Sequence, residues 1–551
     1  MKYVIIGAVA GGASTAARLR RLDEHAEIVI FEKGEYISYA NCGLPYYIGE
    51  VIKQRDKLFV QTAASFNARF NIDVRVKTEV TSINPDKKTI QAIDLKTGKA
   101  YEESYDKLVL SPGAEPIRPP LPGITLPGIF TLRNVNDTDF IKSYVDQRKA
   151  GKAVIVGAGF IGLEMAENLH ALGMEVTVIE MAGQILAPLD FPLAAKIQQH
   201  MREKGVQLKL ITAVAGFEQT EKGLNVLIKD GDAIAADVVI LSIGVRPDTK
   251  LAAHAGLQLG PAKGIYVNEY LQTSNPDIYA VGDAIEFANP ITGNSMNTYL
   301  AGPANKQGRI CANNMVLGNK QSYKGAINTA IVKLFDMTAG STGMASKHLK
   351  AANVPHLIST THSNAHASYY PGGQQLSIQI AFSPVDGKLY GAQVVGFEGT
   401  DKRLDVLAAI IRDGGTIYDL MEFEHAYAPP YSSAKDPINM AGFVADNILS
   451  KRLHVIYWDE VAGLSKDDLL VDVRAPHEYN AGTIPGAINI PVDDLRSRLQ
   501  ELPKDKNIYI FCQIGLRGYL AQRILLQNGY DRVKNISGGY NTYSVCVAES
   551  S

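Results

Sequence analysis

One order of elements occurs twice in this sequence: an apolar strand, a glycine-rich turn, a helix, and a second apolar strand that ends in a glutamate. The first copy runs from YVIIGAVAGGASTAARLRRL to EIVIFEK, and the second reads KAVIVGAGFIGLEMAENLHALGMEVTVIE. A strand, a crossover helix and a second strand form a βαβ unit, in which the two strands are parallel. The repetition therefore predicts an α/β protein with two Rossmann-like domains, and 551 residues leave room for further domains.

The glycines of the second turn match the pattern of dinucleotide binding. In such a turn, backbone amides and the N-terminus of the helix hold a pyrophosphate, and the acid at the end of the second strand binds a ribose hydroxyl. The second copy has the whole pattern, with Gly157, Gly159, Gly162 and Glu180. Because Glu180 would repel a 2′-phosphate and no arginine follows it, we expect NADH rather than NADPH.

The first copy departs from this pattern. Gly7 and Gly12 fit, and Glu32 lies near the end of the second strand, but Val9 occupies the middle glycine position. Taken alone, this turn is equally compatible with a strand–turn–helix unit that binds no ligand.

Three further segments accompany the two turns: LVLSPGAEP, LSIGVRP and TSNPDIYAVGDA, the last of which places Asp283 after an apolar strand. Together these motifs resemble the flavoprotein disulfide reductase superfamily over about residues 1–445. The resemblance implies FAD in the first fold, NADH in the second, and contact of Asp283 with the ribityl chain of the flavin. The FAD-binding residues that it implies are Gly7, Ala10, Gly11, Gly12, Glu32, Lys33, Gly113, Gly282 and Asp283.

Cys42 lies in the segment SYANCGLPYY and has no second cysteine nearby. Many members of the superfamily carry a CxxxxC redox pair, but Tyr47 occupies the second position of that spacing here. Two single-cysteine branches remain open. In NADH peroxidases and oxidases the cysteine cycles through a sulfenic acid, and in coenzyme A disulfide reductases the thiol of coenzyme A replaces the missing sulfur.

One position favours the second branch. The peroxidases and oxidases have a histidine in the first glycine turn, where this chain has Ala10, which cannot transfer a proton. The segment around Cys42 is also similar to the coenzyme A branch. We therefore expect a mixed disulfide between Cys42 and coenzyme A, with Cys42 as a thiolate of low pKa beside the flavin. The coenzyme A-binding residues that the resemblance implies are Ser14, Arg18, Arg21, Ser38, Asn41 and Lys435.

Ser14, Arg18 and Arg21 are three or four residues apart and so share one face of the first predicted helix. A basic face of this kind is usually solvated and binds no ligand. The resemblance favours the other interpretation, in which the face holds the phosphates of coenzyme A.

From about Ala326 the sequence changes character. Alternating apolar residues in GGQQLSIQIAFSPVDGKLYGAQVVG predict antiparallel strands, and the region resembles the dimerisation domain of the superfamily. It ends in EHAYAPPYSSAKDPINMAG, where Tyr427 replaces the catalytic histidine of the two-cysteine reductases and could donate a proton to a departing thiolate. Tyr370 is a second candidate, for which packing in the core is an equally good interpretation.

The segment LLVDVRAPHEYNAGTIPGAINIP is similar to the beginning of a rhodanese domain. Further on, NIYIFCQIGLRGYLAQRILLQ places Cys512 between an apolar strand and a helix, in a loop that also contains Gln513, Gly515 and Arg517. Inward-pointing amides and a helix N-terminus in such a loop suit a thiolate or a persulfide. The resemblance implies a sulfurtransferase with Cys512 as its catalytic residue, and an inactive binding module is the alternative.

The composition is typical of a soluble globular protein, with 46% hydrophobic residues, 20% charged residues and a net charge of −2. No Lys/Arg tract predicts nucleic-acid binding, and no apolar run approaches the length of a membrane span. The chain opens with a strand and shows no signal peptide, and its four cysteines form no CxxC zinc pair. We expect no metal, a cytoplasmic location and a homodimer with shared active sites.

The expected fold class is α/β, with two Rossmann-like domains, an α+β dimerisation domain and a C-terminal α/β rhodanese domain. The expected boundaries are 1–115 with 248–325 for FAD, 116–247 for NADH, 326–448 for dimerisation and 455–551 for the rhodanese domain. The whole chain resembles the fusions of coenzyme A disulfide reductase with rhodanese, also described as NADH-dependent persulfide reductases. The resemblance implies FAD-dependent reduction of coenzyme A persulfide, polysulfide or coenzyme A disulfide. The alternatives are an NADH oxidase or peroxidase and a redox-sensing flavoprotein with a rhodanese-like docking module.

Overall fold

The computed structural model describes residues 1–148, 151–221 and 223–550. It divides into two compact units. The first unit comprises Met1–Met181 and Val206–Asn328, and the second comprises Ala182–Gly205 and Thr329–Ser551. The finer division into four domains stays a prediction.

Strand and helix alternate within each of the two repeated motifs, as the sequence predicts, and runs of consecutive strands lie between and after them. Residues 1–148 contain β1 (Lys2–Ile6), α1 (Ala10–Leu22), β2 (Glu27–Glu32), α2 (Leu44–Ile48), α3 (Ala63–Phe70), β3 (Asp73–Val76), β4 (Thr78–Asn84), β5 (Thr89–Asp94), β6 (Ala100–Ser104), β7 (Lys107–Leu110), β8 (Ala114–Pro116), β9 (Ile129–Phe130) and α4 (Val135–Arg148). Residues 151–328 contain β10 (Lys152–Val156), α5 (Phe160–Ala171), β11 (Glu175–Ile179), α6 (Phe191–Glu203), β12 (Gln207–Lys209), β13 (Val214–Thr220), β14 (Gly223–Ile228), β15 (Ile234–Ala236), β16 (Val238–Leu241), β17 (Val245–Pro247), α7 (Lys250–His254), β18 (Ile265–Tyr266), β19 (Ile278–Ala280), β20 (Ile285–Ala288), β21 (Ser295–Met296) and α8 (Ala301–Leu317).

Two five-stranded parallel sheets form the centre of the first unit. Their strand orders are β19-β7-β1-β2-β3 and β12-β11-β10-β16-β9. The central strands β1 and β10 are almost wholly apolar because parallel strands are covered on both faces. In both sheets the chain leaves the central strand in one direction and later fills the other side. The glycine turns therefore lie at the carboxyl ends of β1 and β10, where the strand order reverses and where folds of this kind bind ligands.

The second unit contains the predicted antiparallel region and a further parallel sheet. Its elements from residue 329 onward are β22 (Ala330–Leu334), β23 (Met337–Gly343), α9 (Ser346–Ala351), β24 (Leu357–Asn364), β25 (Gln375–Phe382), β26 (Leu389–Gly396), α10 (Thr400–Arg412), α11 (Ile417–Glu422), α12 (Pro437–Leu449), β27 (Val455–Ile456), β28 (Leu469–Asp472), α13 (Pro476–Asn480), β29 (Ile488–Asn489), β30 (Ile508–Phe511), α14 (Leu516–Gln527), β31 (Val533–Ile536) and α15 (Gly539–Ser550). The strand orders are β22-β23-β26-β25-β24, all antiparallel, and β27-β31-β30-β28-β29, all parallel. These sheets confirm the predicted fold class.

Helix α6 lies in the sequence between β11 and β12 but belongs to the second unit. Asp190, at its N-cap, is buried and accepts hydrogen bonds of 2.6 Å from the side-chain amides of both Gln379 and Gln393. A buried carboxylate is stable only when such donors satisfy it. These bonds attach the start of α6 to the antiparallel sheet.

Helix α15 packs against α6 and the antiparallel sheet through buried polar contacts. The Lys196 ammonium of α6 donates to the side-chain oxygen of Asn541 at 2.7 Å. The hydroxyl of the next residue, Thr542, lies 2.9 Å from Nε2 of His362 in β24. Burial lowers the pKa of Lys196 to about 8, and burial together with this cation lowers the pKa of His362 to about 3. His362 is therefore a neutral imidazole in the interior of the second unit.

Candidate functional site

The first glycine turn, at the end of β1, has no room for a side chain at its glycine positions. Gly7 has φ +96°, and a β-carbon on it would lie 2.0 Å from the carbonyl oxygen of Ser111. A β-carbon on Gly12 would lie 1.9 Å from the carbonyl oxygen of Gly7. Ala10 begins α1, and a β-carbon on Gly11 would lie 2.9 Å from a methyl group of Val281. The start of α1 is therefore pressed against the strand ends, as the binding of a pyrophosphate at a helix N-terminus requires.

Glu32 ends β2 beside this turn. Its two carboxylate oxygens accept hydrogen bonds from the backbone amides of Ala8 at 2.9 Å and Gly34 at 2.7 Å. Burial raises the pKa of Glu32, and these amides oppose the shift. A carboxylate held in this way keeps acceptor positions for ribose hydroxyls. The adjacent Lys33 is exposed, with its ammonium 3.9 Å from the Asp248 carboxylate.

Asp283 follows β19 in a short turn. Burial raises its pKa, and the guanidinium of Arg133, 3.5 Å away, opposes the shift. The preceding Gly282 has φ +82°, and its amide donates to the side-chain oxygen of Gln307 at 2.7 Å. Gly113 has φ +77°, and a β-carbon there would lie 2.6 Å from the Arg133 guanidinium. The sequence pattern did not single out Arg133 or Gln307, because both lie outside the motifs.

These residues fit FAD by the shape of the cradle and by its donors and acceptors. Gly7, Gly11 and Gly12 allow the helix start to approach the strand ends, Glu32 presents acceptors for a ribose, and Asp283 follows β19 of the same sheet. The predicted FAD residues of β1, β2, β7 and β19 thus lie at adjacent strand ends of one sheet.

The second glycine turn, at the end of β10, repeats this geometry. Gly157 has φ +103°, and a β-carbon on it would lie 2.3 Å from the carbonyl oxygen of Ser242. A β-carbon on Gly162 would lie 2.2 Å from the carbonyl oxygen of Gly157, whereas one on Gly159 would meet nothing within 4 Å. The first and third glycines therefore allow close packing, and the middle one leaves space for a ligand. Glu180 follows β11, and its carboxylate accepts a hydrogen bond of 2.8 Å from the amide of Ala158.

Cys42 lies in a short turn before α2, and its side chain is exposed. Ser38 has φ +44°, and its amide donates to the carbonyl of Ala8 at 2.9 Å, which attaches the segment to the first glycine turn. The side-chain oxygen of Asn41 is buried and has no hydrogen-bond partner among the described residues. An unpaired buried acceptor beside Cys42 suits a ligand with an N–H donor.

The protein groups around Cys42 do not provide the low pKa predicted from the sequence. Desolvation raises the pKa of the Cys42 thiol, and the carboxylates of Glu164 and Asp283 raise it further. Among the described residues, no cation offsets these effects on the pKa of Cys42. The expectation of a low pKa is therefore wrong for the chain alone.

Glu164 is a residue that the sequence analysis missed. It lies on α5, two residues after the third glycine of the second turn, and it accepts a hydrogen bond of 3.3 Å from the Tyr46 hydroxyl. Burial raises the pKa of Glu164 to about 7, so the group is close to half-protonated at neutral pH. Its position after the third glycine is the signal that could have identified it.

The predicted basic face of α1 has an additional member on α8. Ser14 and Arg18 bond to the side chains of Asn305 and Asn313 on that helix. Desolvation lowers the pKa of Arg18, and repulsion from Arg309 and Arg21 lowers it further. No ion pair of these three arginines with a carboxylate is present in the described part of the chain. Three adjacent guanidinium groups without such partners favour an anion site over a solvated face.

In the second unit, the hydroxyls of Tyr369 and Tyr427 lie 2.8 Å apart, and both side chains are exposed. The hydrogen bond with Tyr427 raises the pKa of Tyr369. Tyr370, the second candidate from the sequence, packs its ring edge-on to His366 instead. The structure therefore pairs Tyr427 with Tyr369, which the sequence analysis did not select.

A buried ion pair holds the two tyrosine segments together. The Arg403 guanidinium bonds to the Asp436 carboxylate at 2.7 Å and to the carbonyl of Ala365 at 2.8 Å. Ser432 donates to the same carboxylate at 2.6 Å. The network thereby joins the segment before Tyr369 to the one after Tyr427, and it leaves the adjacent Lys435 exposed.

Cys512 follows β30 directly, and its side chain is buried. The amide of Gly515, which has φ +103° and caps α14, donates to the Cys512 sulfur at 3.2 Å. The loop backbone is fixed from behind, because the amides of Tyr540 and Asn541 at the start of α15 donate to the carbonyls of Cys512 and Gln513. One backbone amide, that of Gly515, therefore donates to the sulfur, and the wider cradle of amides stays a prediction.

Two arginines adjoin this loop, and both are paired with carboxylates. Arg517 makes two bonds to Glu478, of 2.6 and 2.7 Å, which lower the pKa of Glu478 to about 2. Arg474 pairs with the buried Asp472 at 2.7 Å and donates to the side-chain oxygen of Gln513 at 3.0 Å. Glu478, and after it Cys512, raise the pKa of Arg517, so this cation adjoins the sulfur as well as its carboxylate partner.

None of the described helices combines the length and the apolar character needed to cross a membrane. Nor do three or more His, Cys, Asp or Glu side chains come together anywhere in residues 1–148, 151–221 and 223–550 in a way that could hold a metal.

Comparison with known proteins matches three segments of the chain to family models. Residues 1–308 match the pyridine nucleotide-disulphide oxidoreductase family, residues 329–437 match its dimerisation domain, and residues 458–546 match the rhodanese-like domain.

Among similar proteins, coenzyme A disulfide reductase of Staphylococcus aureus (strain bovine RF122 / ET3-1) is 36% identical over 444 residues, which are 81% of this chain and 99% of that protein. The crystal structure of reduced Bacillus anthracis CoADR-RHD is 48% identical, with a TM-score of 0.97, over 100% of this chain and 98% of that one. A NAD-dependent persulfide reductase from A. fulgidus is 38% identical, with a TM-score of 0.93, over 98% of this chain and 100% of that one. The chain belongs to the pyridine nucleotide-disulphide oxidoreductase family, with a rhodanese-like domain fused to the reductase.

Proposed function

We propose that this protein is an FAD-dependent reductase that uses NADH to reduce coenzyme A persulfide, polysulfide or coenzyme A disulfide, and that its rhodanese domain is a sulfurtransferase. One observation carries the proposal: Cys42 is exposed beside the FAD cradle, and the other three cysteines are buried. A lone cysteine at this position needs a sulfur from its substrate to form a disulfide. A relative over 81% of this chain is named for coenzyme A disulfide, and one over 98% of it is named for persulfide.

In the proposed reaction, the Cys42 thiolate attacks the coenzyme A sulfur of a persulfide. A Cys42–S–S–CoA bond forms, the sulfur–sulfur bond of the persulfide breaks, and hydrosulfide leaves with the electron pair. When bound, FAD and NADH supply the two electrons that reduce this mixed disulfide. Asn41, Ser38 and the arginines of α1 hold coenzyme A, and Glu164 holds a proton near the sulfur.

The tyrosine pair would act across a homodimer interface. The coenzyme A thiolate that leaves Cys42 needs a hydrogen-bond donor, and two exposed hydroxyls joined by a hydrogen bond can supply one. Lys435, close in sequence to Tyr427, would add a cation for a phosphate of coenzyme A. We expect the protein to work in the cytoplasm, where a reduced coenzyme A pool is available.

We expect Tyr427→Phe to lower kcat for coenzyme A disulfide by about 10²-fold, because the departing thiolate loses its donor. Tyr369→Phe should lower kcat as well, and the double variant should lose less than the product of the two effects, because the hydroxyls act as a unit. Steady-state kinetics at saturating NADH checks this. Tyr418→Phe, at an exposed position on α11, is the matched control. An unchanged kcat in Tyr427→Phe would remove this residue from the mechanism.

We expect a preference for NADH over NADPH of about 5- to 150-fold in kcat/KM, because a 2′-phosphate would meet the Glu180 carboxylate. Glu180→Gln removes the charge and should narrow the preference. Glu175→Gln, at the exposed start of the same strand, should leave it unchanged. Equal efficiency of the wild-type protein with both nucleotides would contradict the assignment.

The deciding experiment compares turnover of NADH with coenzyme A persulfide, polysulfide, coenzyme A disulfide and oxygen. It is paired with mass spectrometry of Cys42 in the purified protein, where a coenzyme A adduct is expected. Rapid turnover with oxygen alone would identify an oxidase, which Ala10 argues against. No turnover with any acceptor would favour a redox-sensing role.

A further inference from the structure

We propose that Lys196 of α6 is a positioning residue for the loop of Cys512, on which it acts through the side chain of Asn541. The inference rests on the proposed sulfurtransferase function and deepens it. Lys196 lies in the segment that matches the reductase family, outside residues 458–546 that match the rhodanese-like domain. The reactivity of Cys512 would therefore depend on a helix that its own domain does not contain.

The first turn of α15 lies against the back of the loop. The first N–H groups of a helix have no partner within that helix, so they need acceptors elsewhere. Here the amide of Tyr540 donates to the carbonyl of Cys512 at 2.8 Å, and the amide of Asn541 donates to the carbonyl of Gln513 at 3.0 Å. These bonds direct two loop carbonyls toward α15, while the Gly515 amide donates to the sulfur.

The same turn of α15 is attached to three other elements by side chains. The side-chain oxygen of Asn541 accepts from the Lys196 ammonium at 2.7 Å, and its amide nitrogen donates to the side chain of Gln375 in β25. The Thr542 hydroxyl lies 2.9 Å from the imidazole of His362. Of these three attachments, only that of Lys196 has a charged donor, and charge-assisted hydrogen bonds are the stronger ones. Lys196 is therefore the main support of this turn.

Lys196 supports the backbone from which the groups next to the sulfur project. Gly515 and Arg517 belong to the loop itself, and both act on Cys512. The Gly515 bond is already 3.2 Å long, so a small shift of the loop would weaken it. Loss of the Lys196 bond would reach Cys512 in this way, without any contact between Lys196 and the sulfur.

The protonation of Lys196 gives this support a pH dependence. Burial lowers the pKa of Lys196 to about 8, so the ammonium becomes an amine, which is a weaker donor, as the pH rises from about 7 to 9. Burial, together with the Lys196 cation, lowers the pKa of His362 to about 3, and burial raises the pKa of Cys546 to about 12. Neither group changes its charge in this range. The remaining charged groups around α6 and α15 here are Arg202, Glu549 and Asp459.

The test uses the full-length protein with Cys42→Ser, so that Cys512 is the one remaining cysteine of the two proposed to react. Iodoacetamide is added, and mass spectrometry follows the alkylation of Cys512, in which its thiolate displaces iodide. We expect Lys196→Met, which keeps an unbranched side chain without a donor, to slow this reaction about 10-fold near pH 7. Lys196→Arg, whose guanidinium can still donate to Asn541, should restore most of the rate.

Two further variants locate the effect. Asn541→Ala removes the acceptor of the same bond at a half-buried position, and it tests the inference even if Lys196→Met fails to fold. It should slow alkylation by a similar factor, and the double variant should be no slower than either single one. Glu549→Ala, the matched control, removes the contacts of α15 with Gln198 and Arg202 at the other end of the helix and should leave the rate unchanged.

The pH profile separates positioning from packing. Dividing the alkylation rate of the protein that retains Lys196 by that of Lys196→Met at each pH cancels the ionisation of Cys512, which both proteins share. We expect this ratio to be about 10 near pH 7 and to fall as the pH rises through about 8, because the ammonium is lost. A lysine that only filled space would give the same ratio at every pH.

Two outcomes overturn the inference: alkylation of Cys512 at an unchanged rate in Lys196→Met and Asn541→Ala, or a ratio that does not vary with pH. A separate measurement tests the function on which it rests, namely the gain of sulfur by Cys512 from inorganic polysulfide. If the protein with Lys196 in place gains none, the sulfurtransferase function fails, whereas the alkylation rates still decide the role of Lys196.

Discussion

Cys42→Ser should bind FAD normally and lose reductase turnover by on the order of 10³-fold or more. A serine hydroxyl is far less acidic than a thiol and cannot form a disulfide with coenzyme A. The FAD cradle consists of Gly7, Gly12, Glu32 and Asp283 and does not use the Cys42 side chain, so the flavin should remain bound. The measurements are the flavin content of the purified variant and steady-state turnover with coenzyme A disulfide and persulfide.

A second readout separates chemistry from binding. NADH should still bleach the flavin of Cys42→Ser under anaerobic conditions, because this step needs no thiol. Cys311→Ala removes a buried cysteine of the same unit and should keep its turnover. If Cys42→Ser turned over a disulfide at a rate near that of the wild type, Cys42 would not be the acceptor of the substrate sulfur.

Cys512→Ser should abolish sulfur transfer from a polysulfide or small persulfide donor to coenzyme A, and it should spare the reduction of presynthesised coenzyme A persulfide. In the simplest division of work, Cys512 takes the sulfane sulfur and passes it to coenzyme A, whose persulfide Cys42 then attacks. The flexible pantetheine arm carries the sulfur, so the two cysteines need not touch. The measurement is sulfide release from both substrate classes by the same purified variant.

The pattern of losses distinguishes three schemes. Loss of both activities in a folded, FAD-loaded Cys512→Ser variant would place Cys512 in the reductase cycle itself. Retention of both would leave the rhodanese domain as a docking module. Ser537→Ala, a substitution elsewhere in the same domain, controls for general effects on its stability.

The sequence predicted those parts of the sites that are contiguous in the chain. Both glycine turns and the loop of Cys512 have fixed spacings, because a tight turn into a helix allows few residue types at few positions. Gly157 and Gly162 are examples, since any β-carbon there would meet a backbone oxygen. The alternation in β25 and β26 likewise follows from the two-residue period of a strand.

The sequence did not predict contacts between distant segments. Arg133 meets Asp283 from 150 residues away, Arg309 joins the basic face of α1 from another helix, and Tyr369 rather than Tyr370 meets Tyr427. None of these pairings has a local pattern, because they depend on how the helices and loops pack. The prediction of a low pKa for Cys42 was wrong for the same reason, since Glu164 and Asp283 approach the thiol only in the folded unit.

The contacts between α6 and α15 have a consequence for synthesis of the chain. Lys196 and Asn541 are 345 residues apart, and Gln198 and Glu549 are 351 residues apart. At about 5–20 residues per second, α6 is synthesised roughly 17 to 70 seconds before its partner helix exists. During that interval Lys196 and Gln198 of α6 lack their partners on α15. Nascent chains stalled before residue 539 should therefore bind chaperones more strongly than chains released after α15 has been made.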